Sequence, residues 1–325
     1  MTKKIVSCIP FPPDVVMSML SSHADLDLSD IEIVNVHKFP EEKIVDEVKD
    51  ALIIIGDFTF NTPITKKIVM AAKGVRLIQQ PSVGYQHIDV DVCREAGIPV
   101  ANTAGANDIS VAEHTIMLAL SLIKKLIYAN SKTQKGEWPQ LEVGGSELYG
   151  KQYGILGMGR IGREVAKRLV PFGVNTKYYD IVRLDKNEED RLSVSFMALE
   201  DILKTSDMIG LHLPLTDKTK GIIGGAEISL MKPTAILINV GRGELVDEGA
   251  LASALREGKI AGAGIDVFFE EPIKNNNPLI RLENVILTPH IAGTTNEAKG
   301  RIIAMAFENI YNVLIGREDK VQSLI

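Results

Sequence analysis

Short apolar runs alternate with longer helical patterns along the whole chain. Most of these runs are rich in valine and isoleucine and lack polar alternation, which is typical of strands covered on both faces. Strands that alternate with helices predict parallel, doubly wound sheets of the α/β class. The runs are too many for one small sheet, so we expect two sheets. The predicted strands are Lys4–Ile9, Ile31–Val36, Ala51–Ile55, Val75–Gln79, Pro99–Asn102, Tyr153–Leu156, Thr176–Tyr179, Met208–Leu213, Ala235–Val240, Gly262–Val267 and Val285–Thr288.

The most apolar helical pattern extends from Asn107 to Asn130. Ser110 and Glu113 have the spacing of a capping box at its start. A helix this apolar must bury most of its surface, so we expect it to run between the two sheets or to lie in a subunit interface. The segment Thr133–Lys151 has little periodicity and predicts a loop that leads into the next strand.

Composition narrows the class of protein. The chain has 325 residues, enough for about two domains. Its net charge of -6 excludes recruitment of nucleic acid or of an anionic membrane by bulk electrostatics. The longest apolar run, Ile116–Ile123, is far shorter than the ~20 residues of a membrane span. The first apolar run ends at Pro10 and is too short for a signal peptide, so we expect a soluble, cytoplasmic protein.

The two cysteines, Cys8 and Cys93, lie in apolar surroundings and predict buried, unreactive thiols. Two thiols in a chain of this length do not make a disulfide framework or a cysteine-rich metal site. No cluster of histidine, aspartate and glutamate has the spacing of metal ligands, so no metal is expected.

A glycine-rich turn follows the strand that begins at Tyr153. Gly157, Gly159 and Gly162 form a G-x-G-x-x-G pattern, and a helical segment continues to Leu169. In such a turn the first glycine permits the tight bend, the second lets the backbone approach a pyrophosphate, and the third lets the helix pack on the strand. The pyrophosphate would lie on the free N–H groups at the start of the helix. The alternative is a glycine turn that binds nothing.

The next strand ends at Asp180, which comes 18 residues after Gly162. A carboxylate at this position can accept hydrogen bonds from both hydroxyls of the adenosine ribose. It would repel a 2′-phosphate, so the sequence favours NAD over NADP. Arg183 is close enough in the chain to weaken that preference.

Three polar residues stand at or just beyond predicted strand ends in the second half of the chain: Arg242, Glu271 and His290. Ligands of open α/β sheets bind outside the carboxyl ends of the strands, so these residues can meet at one edge. Taken singly, His290 could be a structural histidine, Arg242 a surface cation and Glu271 a loop carboxylate.

As a set, the three residues suit reduction of a 2-keto acid. A nicotinamide supplies the hydride chemistry, while the protein must orient the acid and manage one proton. Arg242 can hold the substrate carboxylate and polarise the keto oxygen. His290 can donate the proton during reduction and remove it during oxidation. A carboxylate from Glu271 beside His290 would favour the imidazolium and fix the ring.

Several sequence motifs occur along the chain in the same order as in a known protein family. It resembles the D-isomer-specific 2-hydroxyacid dehydrogenase family over nearly its whole length. The resemblance implies that Arg242, Glu271 and His290 act together as the catalytic set. The motifs that carry it are Val111–Thr115, Gly154–Gly162, Leu211–Thr216, Asn239–Asp247, Ala261–Phe268, Glu270–Pro272 and Pro289–Gly293.

The resemblance also implies the binding residues. Asp266 would face the nicotinamide carboxamide, and the backbone N–H groups of Val83 and Gly84 would take the substrate carboxylate, with Arg242 and His290 completing the substrate contacts. NAD is the expected cofactor and a small 2-keto or 2-hydroxy acid the expected partner. The expected cofactor contacts are Gly157, Gly159, Arg160, Ile161, Gly162, Asp180, His212, Leu213, Pro214, Thr219, Val240, Gly241, Asp266 and Gly293.

The fold expected from the resemblance has two doubly wound parallel-sheet domains. A Rossmann NAD-binding domain, residues 103–290, would be inserted into a flavodoxin-like substrate domain, residues 1–102 with 291–325. Members are usually dimers, so a homodimer is expected, with the helix after Asn107 at the interface.

Two departures bear on the substrate. The family's early loop often reads Gly-x-Gly-x-Asp, and this chain has Ser82 and Gln86 at the first and last of those positions. Reduction of glyoxylate or hydroxypyruvate, oxidation of 3-phosphoglycerate, D-lactate chemistry and phosphite oxidation all stay open. The Glu271 and His290 pair does not match the formate dehydrogenase branch, which has an amide in place of that carboxylate. A second class also stays open, an NAD-sensing binding protein of the transcriptional co-repressor type without significant turnover.

Overall fold

The computed structural model describes residues 2–21 and 26–325, and the chain divides into two compact units. The first contains Met1–Asn107 and Asn296–Ile325, and the second contains Asp108–Thr295. The second unit therefore interrupts the first in the sequence. The boundaries at 107/108 and 295/296 come a few residues after those expected at 102/103 and 290/291.

Five parallel strands form the sheet of the first unit over its described residues. The strands are β1 (Lys3–Ser7), β2 (Ile31–Asn35), β3 (Ile53–Ile55), β4 (Leu77–Gln79) and β5 (Val100–Ala101). Their order in the sheet is β2-β1-β3-β4-β5, the order of flavodoxin-like sheets, in which the chain reverses its direction of progress between β1 and β3. The helices of this unit are α1 (Pro13–Leu20), α2 (Glu41–Glu47), α3 (Lys66–Ala71), α4 (Val90–Glu95) and α12 (Asn296–Leu314).

Helices cover both faces of this first sheet. Along β3, Ile53 and Ile55 pack with α1 and α12, while Ile54 packs with α2, α3 and α4. Because side chains of a strand alternate between faces, a strand covered on both sides must be apolar throughout. This burial explains the unalternating isoleucine and valine runs from which the strands were predicted.

The second unit has a seven-stranded parallel sheet in the part of the chain described. The strands are β6 (Gln152–Leu156), β7 (Asn175–Tyr179), β8 (Val194–Phe196), β9 (Met208–Leu211), β10 (Ile236–Asn239), β11 (Gly262–Ile265) and β12 (Val285–Leu287). Their order in the sheet is β12-β11-β10-β9-β6-β7-β8, a Rossmann order with its switch point between β6 and β9. The helices are α5 (Asp108–Ile123), α6 (Leu126–Gln134), α7 (Arg160–Leu169), α8 (Lys186–Leu192), α9 (Leu199–Thr205), α10 (Gly225–Leu230) and α11 (Glu248–Arg256).

All eleven predicted strands are confirmed, and one strand was missed. β8 has only three residues and pairs with β7 at the edge of the sheet, with Thr176 opposite Val194. Ser195 and Phe196 are half-buried, as is common at an edge that only one neighbour covers. A run this short gives no periodicity from which a strand can be predicted.

The prediction of one helix from Asn107 to Asn130 was wrong. Two helices, α5 and α6, meet at Lys125, whose φ of 50° is left-handed and ends the regular hydrogen bonding. The predicted capping box was also wrong, because Ser110 lies inside α5 and its Oγ is 2.8 Å from Oγ1 of Thr295. The longer apolar helix, α5, packs against α7, β10 and β11 of its own unit.

Both cysteines are buried and unpaired, as predicted. Burial raises the pKa of the Cys8 thiol to about 12 and that of Cys93 to about 11. Both are therefore protonated and unreactive at neutral pH. None of the helices in the described ranges has the length and apolar character needed to cross a bilayer.

Candidate active site

The glycine turn connects β6 to α7 at the carboxyl edge of the second sheet. Gly157 has a φ of 98°, and a Cβ there would lie 2.6 Å from the carbonyl oxygen of His212. A Cβ on Gly162 would lie 2.1 Å from the carbonyl oxygen of Gly157. A Cβ on Gly159, by contrast, would meet no described atom within 4 Å. Packing therefore requires the first and third glycines, while the middle one borders open space.

This turn fits a dinucleotide. Gly159 is the residue before α7 and provides no side-chain cap, so the first N–H groups of the helix are left for another acceptor. An anion at that position would also be stabilised by the helix dipole. The open space above Gly159 is where a pyrophosphate could approach the backbone.

Asp180 follows β7 at the same edge. Its Oδ2 accepts a hydrogen bond from the Met158 N–H at 2.7 Å, and its Oδ1 accepts one from the Val182 N–H at 3.2 Å. These bonds fix the half-buried carboxylate beside the glycine turn. Each oxygen retains acceptor capacity, so the carboxylate can take the two ribose hydroxyls of an adenosine.

A histidine–carboxylate pair lies at the ends of β11 and β12. His290 Nδ1 is 2.6 Å from Oε2 of Glu271, and Glu271 Oε1 accepts the Phe268 N–H at 3.0 Å. Burial acts to raise the pKa of the Glu271 carboxyl, but the hydrogen bonds from His290 and Phe268 and the charge of Arg242 outweigh it and hold that pKa below its ordinary value. Glu271 is therefore a carboxylate at neutral pH and orients the imidazole.

Arg242 joins this pair from the end of β10. It is half-buried, its Nη1 donates to the Gly241 carbonyl at 2.7 Å, and its charge reaches Glu271. A Cβ on Gly243 would lie 1.9 Å from the carbonyl carbon of Phe268. The loop of Arg242 thus packs directly on the loop that carries Glu271. The structure brings together all three residues of the predicted catalytic set.

The loop of His290 is held by Asp266, which is fully buried. The backbone N–H of His290, whose φ is 54°, donates to the Asp266 carbonyl at 2.8 Å. The Asp266 carboxylate accepts the N–H groups of Ile291 and Ala292, both at 2.9 Å, and the Thr288 hydroxyl at 2.6 Å. These bonds keep His290 in a left-handed conformation that few non-glycine residues adopt.

His114 extends this network to α5, and no role was predicted for it from the sequence. Its Nε2 is 3.1 Å from Thr288 Oγ1 and 3.6 Å from Asp266 Oδ1. Burial lowers the pKa of His114, although Asp266 acts in the opposite direction, so the ring is neutral at neutral pH. Because the Thr288 hydroxyl donates to Asp266, His114 must donate from Nε2. A polar residue within an apolar helix was the signal that could have identified it.

Two further predicted cofactor residues, His212 and Leu213, follow β9. Both ring nitrogens of His212 are buried and have no hydrogen-bond partner among the described residues, and burial lowers the pKa of the ring to about 4. The backbone of these two residues packs on Gly157. Beyond them, Thr219 Oγ1 donates to the Pro214 carbonyl at 2.6 Å and closes an exposed turn.

The rest of the predicted cofactor set is spread around the same sheet edge. Arg160 donates from Nε to Asp108 Oδ2 at 2.8 Å. Val240 is buried directly after β10, next to half-buried Gly241. Ile161 packs on the core beneath α7, and Gly293 lies half-buried beyond the His290 loop.

The predicted substrate residues Val83 and Gly84 belong to the first unit, in the loop after β4. The Val83 carbonyl accepts Asn102 Nδ2 at 2.9 Å, and the Gly84 carbonyl accepts Ser82 Oγ at 2.8 Å. Within residues 2–21 and 26–325, neither N–H group of Val83 or Gly84 has a hydrogen-bond acceptor. The side chain of Ser82 therefore shapes this loop.

No group of three or more His, Cys, Asp or Glu side chains in the described ranges is arranged to hold a metal ion.

Comparison with known proteins identifies the family. A family model for the D-isomer specific 2-hydroxyacid dehydrogenase, NAD binding domain, matches residues 116–292. A glyoxylate reductase of Korarchaeum cryptofilum is 38% identical over 304 residues, covering 92% of this chain and 89% of that protein. A D-3-phosphoglycerate dehydrogenase of Methanocaldococcus jannaschii is 40% identical over 277 residues, or 85% of this chain and 52% of that protein. The structure of a D-lactate dehydrogenase from Aquifex aeolicus, complexed with NAD and lactic acid, matches with 30% identity, a TM-score of 0.84 and 99% coverage of both chains.

These findings define a nicotinamide-dependent oxidoreductase. The chain belongs to the D-isomer specific 2-hydroxyacid dehydrogenase family. It is an NAD-dependent enzyme that transfers a hydride to or from C2 of a small 2-hydroxy or 2-keto acid. The predicted family, fold class, cofactor and reaction are confirmed, and the co-repressor alternative is not favoured.

Proposed function

We propose that the enzyme reduces glyoxylate and closely related small 2-keto acids with NADH, using His290 as the proton donor. The observation that carries the proposal is the 2.6 Å contact between Glu271 and His290 within reach of the Arg242 charge. The relatives support the choice of substrate, since glyoxylate reductases from Korarchaeum cryptofilum and Aeropyrum pernix are 38% and 44% identical to this chain.

The proton is handled by the histidine–carboxylate pair. Because Glu271 holds Nδ1, the ring presents Nε2 to the keto oxygen of the substrate. The carboxylate stabilises the imidazolium before transfer, and the neutral ring recovers its proton from water afterwards. When bound, the dinucleotide supplies the hydride. General acid catalysis of this kind contributes roughly 10²–10⁴ in rate.

The substrate carboxylate needs its own partners. Arg242 offers a planar, permanently charged fork that can hold a carboxylate and polarise the adjacent keto oxygen. The predicted role of the Val83 and Gly84 N–H groups as carboxylate donors is supported within the first unit, because no described residue accepts them.

The dinucleotide is assigned to the carboxyl edge of the second sheet. Asp180 binds the adenosine ribose. Asp266 contacts the nicotinamide end of the dinucleotide and also holds the His290 loop beside it. The other assigned contacts are Gly157, Gly159, Arg160, Ile161, Gly162, His212, Leu213, Pro214, Thr219, Val240, Gly241 and Gly293.

A homodimer belongs to this proposal. Large apolar side chains are exposed on α5 and α6, among them Met117, Leu126 and Ile127, with exposed fractions of 45%, 54% and 58%. Apolar exposure on this scale is typical of a surface that a partner covers. Light scattering on the purified protein should give twice the monomer mass, and Leu126→Glu should reduce it to the monomer mass.

The unpaired cysteines support a reducing, cytoplasmic compartment.

A substrate panel tests the proposed reaction. NADH oxidation would be followed with glyoxylate, hydroxypyruvate, pyruvate and 3-phosphohydroxypyruvate, and we expect the highest kcat/KM with glyoxylate or hydroxypyruvate. A highest value with pyruvate or with the phosphorylated acid would reject the proposed substrate. His290→Gln should lower kcat by about 10²-fold or more while the Kd for NADH is retained. If none of the acids is turned over, an NAD-sensing binding protein of the co-repressor type becomes the favoured alternative.

A further inference from the structure

Arg183 lies three positions after Asp180, in the loop between β7 and α8, and it does not point freely into solvent. Its Nε donates to Glu189 Oε1 at 3.0 Å, and its Nη2 donates to Glu189 Oε2 at 3.3 Å. The guanidinium also lies 5.5 Å from the centroid of the Phe196 ring. This bidentate, stacked geometry uses the fork of the arginine on a protein carboxylate.

Glu189 is the fixed partner in this pair. Its side chain is only 2% exposed, whereas that of Arg183 is 61% exposed. The Tyr178 hydroxyl donates to Glu189 Oε1 at 3.0 Å and in turn accepts the Leu184 N–H at 2.8 Å. The hydrogen bonds from Arg183 are the main reason that the pKa of Glu189 lies below its ordinary value. The Glu189 carboxylate is therefore fixed by its place on α8 and by the Tyr178 hydroxyl of β7, and the more exposed Arg183 side chain binds to it.

The other cations around the glycine turn are matched in the same way. Arg160 pairs with Asp108 at 2.8 Å, and Arg163 pairs with Glu188. Lys186 is 2.7 Å from an oxygen of Asp190 and only 4.0 Å from one of Glu189. A ribose 2′-phosphate carries two negative charges in place of a hydroxyl and requires a cation that can turn toward it. Arg183 follows Asp180 closely in the chain and could turn in this way, but it is already bound to Glu189.

We propose that Glu189 is a specificity-determining residue for the dinucleotide: by holding Arg183, it keeps that guanidinium from a 2′-phosphate and leaves the ribose to Asp180. The preference for NAD over NADP then depends on two carboxylates. Asp180 accepts the ribose hydroxyls, and Glu189 keeps Arg183 from binding a 2′-phosphate. The inference rests on the proposed ribose contact of Asp180 and is independent of which 2-keto acid is reduced.

The test measures binding of ribose fragments rather than turnover. Calorimetry on the full-length enzyme would give the Kd of 5′-AMP and of 2′,5′-ADP, and the ratio of the two constants is the readout. Glu189→Gln keeps the shape of the side chain but removes the charge that holds Arg183, so we expect the ratio to move toward 2′,5′-ADP by about tenfold. Glu200→Gln is the matched control, because Glu200 on α9 pairs with Lys204 and not with a cation of the glycine turn, and it should leave the ratio unchanged.

Arg183 itself decides whether the shift has the proposed cause. Arg183→Gln in the parent enzyme should change the ratio by less than about twofold, and in the Glu189→Gln background it should abolish the tenfold gain. A gain that survives Arg183→Gln, an equal gain in Glu200→Gln, or an unchanged ratio in a folded Glu189→Gln would each overturn the inference. If Glu189→Gln fails to fold, a large loss of 2′,5′-ADP affinity in Arg183→Gln alone overturns it, because Arg183 would already reach the phosphate.

Asp180→Ala separates this inference from the contact on which it rests. If 5′-AMP binds Asp180→Ala as tightly as the parent enzyme, the proposed ribose contact is wrong and the inference fails with it. If 5′-AMP affinity falls while Glu189→Gln leaves the ratio unchanged, the ribose contact stands and the inference about Glu189 alone is rejected.

Discussion

Nδ1 of His290 lies 2.6 Å from Oε2 of Glu271, although 19 residues separate them in the chain and they follow different strands. The contact exists because β11 and β12 are parallel neighbours, so their following loops start side by side. The Phe268 N–H fixes the second oxygen of Glu271, which gives the imidazole a single orientation.

Glu271→Gln tests the electrostatic part of this contact. The amide keeps the size of the side chain but no longer stabilises an imidazolium, so kcat for keto-acid reduction should fall by roughly 10²-fold. Steady-state rates with NADH would measure it. Glu270→Gln is the matched control, because the neighbouring Glu270 pairs with Lys274 and not with His290. An equal loss in both variants would mean that the loop, and not the carboxylate, is responsible.

The lowered pKa of Glu271 also predicts a dependence of stability on pH. A carboxyl whose pKa is lower in the folded state stabilises that state fully above its unfolded pKa, about 4.3, and loses this contribution as pH falls through the folded value. The difference in Tm between the parent enzyme and Glu271→Gln should therefore shrink as the pH falls below about 4. A difference that kept growing below about pH 4 would contradict the direction of the shift.

Thr288→Val tests the network that holds the His290 loop. The substitution removes the hydroxyl that lies between Asp266 and His114 and leaves buried polar groups without that partner. We expect the free energy of unfolding to fall by about 1–3 kcal/mol, measured by urea denaturation. Thr294→Val is the control, since among the described residues that exposed hydroxyl bonds to the Ile291 carbonyl of its own loop. Its cost should stay within about 0.5 kcal/mol.

The glycines of the turn make separable predictions. Gly159→Ala places a Cβ in open space, so stability should change by about 1 kcal/mol or less while NADH affinity falls at least about tenfold. Gly162→Ala places a Cβ 2.1 Å from a backbone oxygen and should lower Tm markedly. Thermal unfolding and NADH fluorescence distinguish the two. Unchanged NADH affinity in Gly159→Ala would remove the pyrophosphate from this turn.

The elements that could be predicted from sequence are those whose cause is local. Unalternating apolar runs identified the strands because both sheet faces are covered, and the glycine spacing identified the turn at Gly157 because backbone approach permits no Cβ there. Strand ends grouped Arg242, Glu271 and His290, because parallel strands deliver their following loops to one edge.

The features that could not be predicted depend on contacts between residues far apart in the chain or on the backbone conformation of a single residue. The bond from His114 to Thr288 joins residues 174 positions apart, and the polar character that marks His114 within an apolar helix does not indicate its partner. The helix break is a single left-handed residue, Lys125, inside a pattern that otherwise favours a continuous helix. The hold of Glu189 on Arg183 lies within one loop and helix, but its importance appears only when Glu189 is seen to be buried.

Arg242→Lys tests whether geometry or charge matters at the substrate carboxylate. Lysine keeps a positive charge near Glu271 but replaces a planar fork with a single ammonium, so two parallel bonds to a carboxylate cannot form. We expect kcat/KM for the keto acid to fall by about 10²-fold, with higher KM and lower kcat, while the Kd for NADH stays unchanged. Arg256→Lys is the matched control, because this arginine of α11 bonds the Pro278 carbonyl. Near-normal kcat and KM in Arg242→Lys would show that a point charge is sufficient, and would exclude a bidentate contact between this arginine and the substrate.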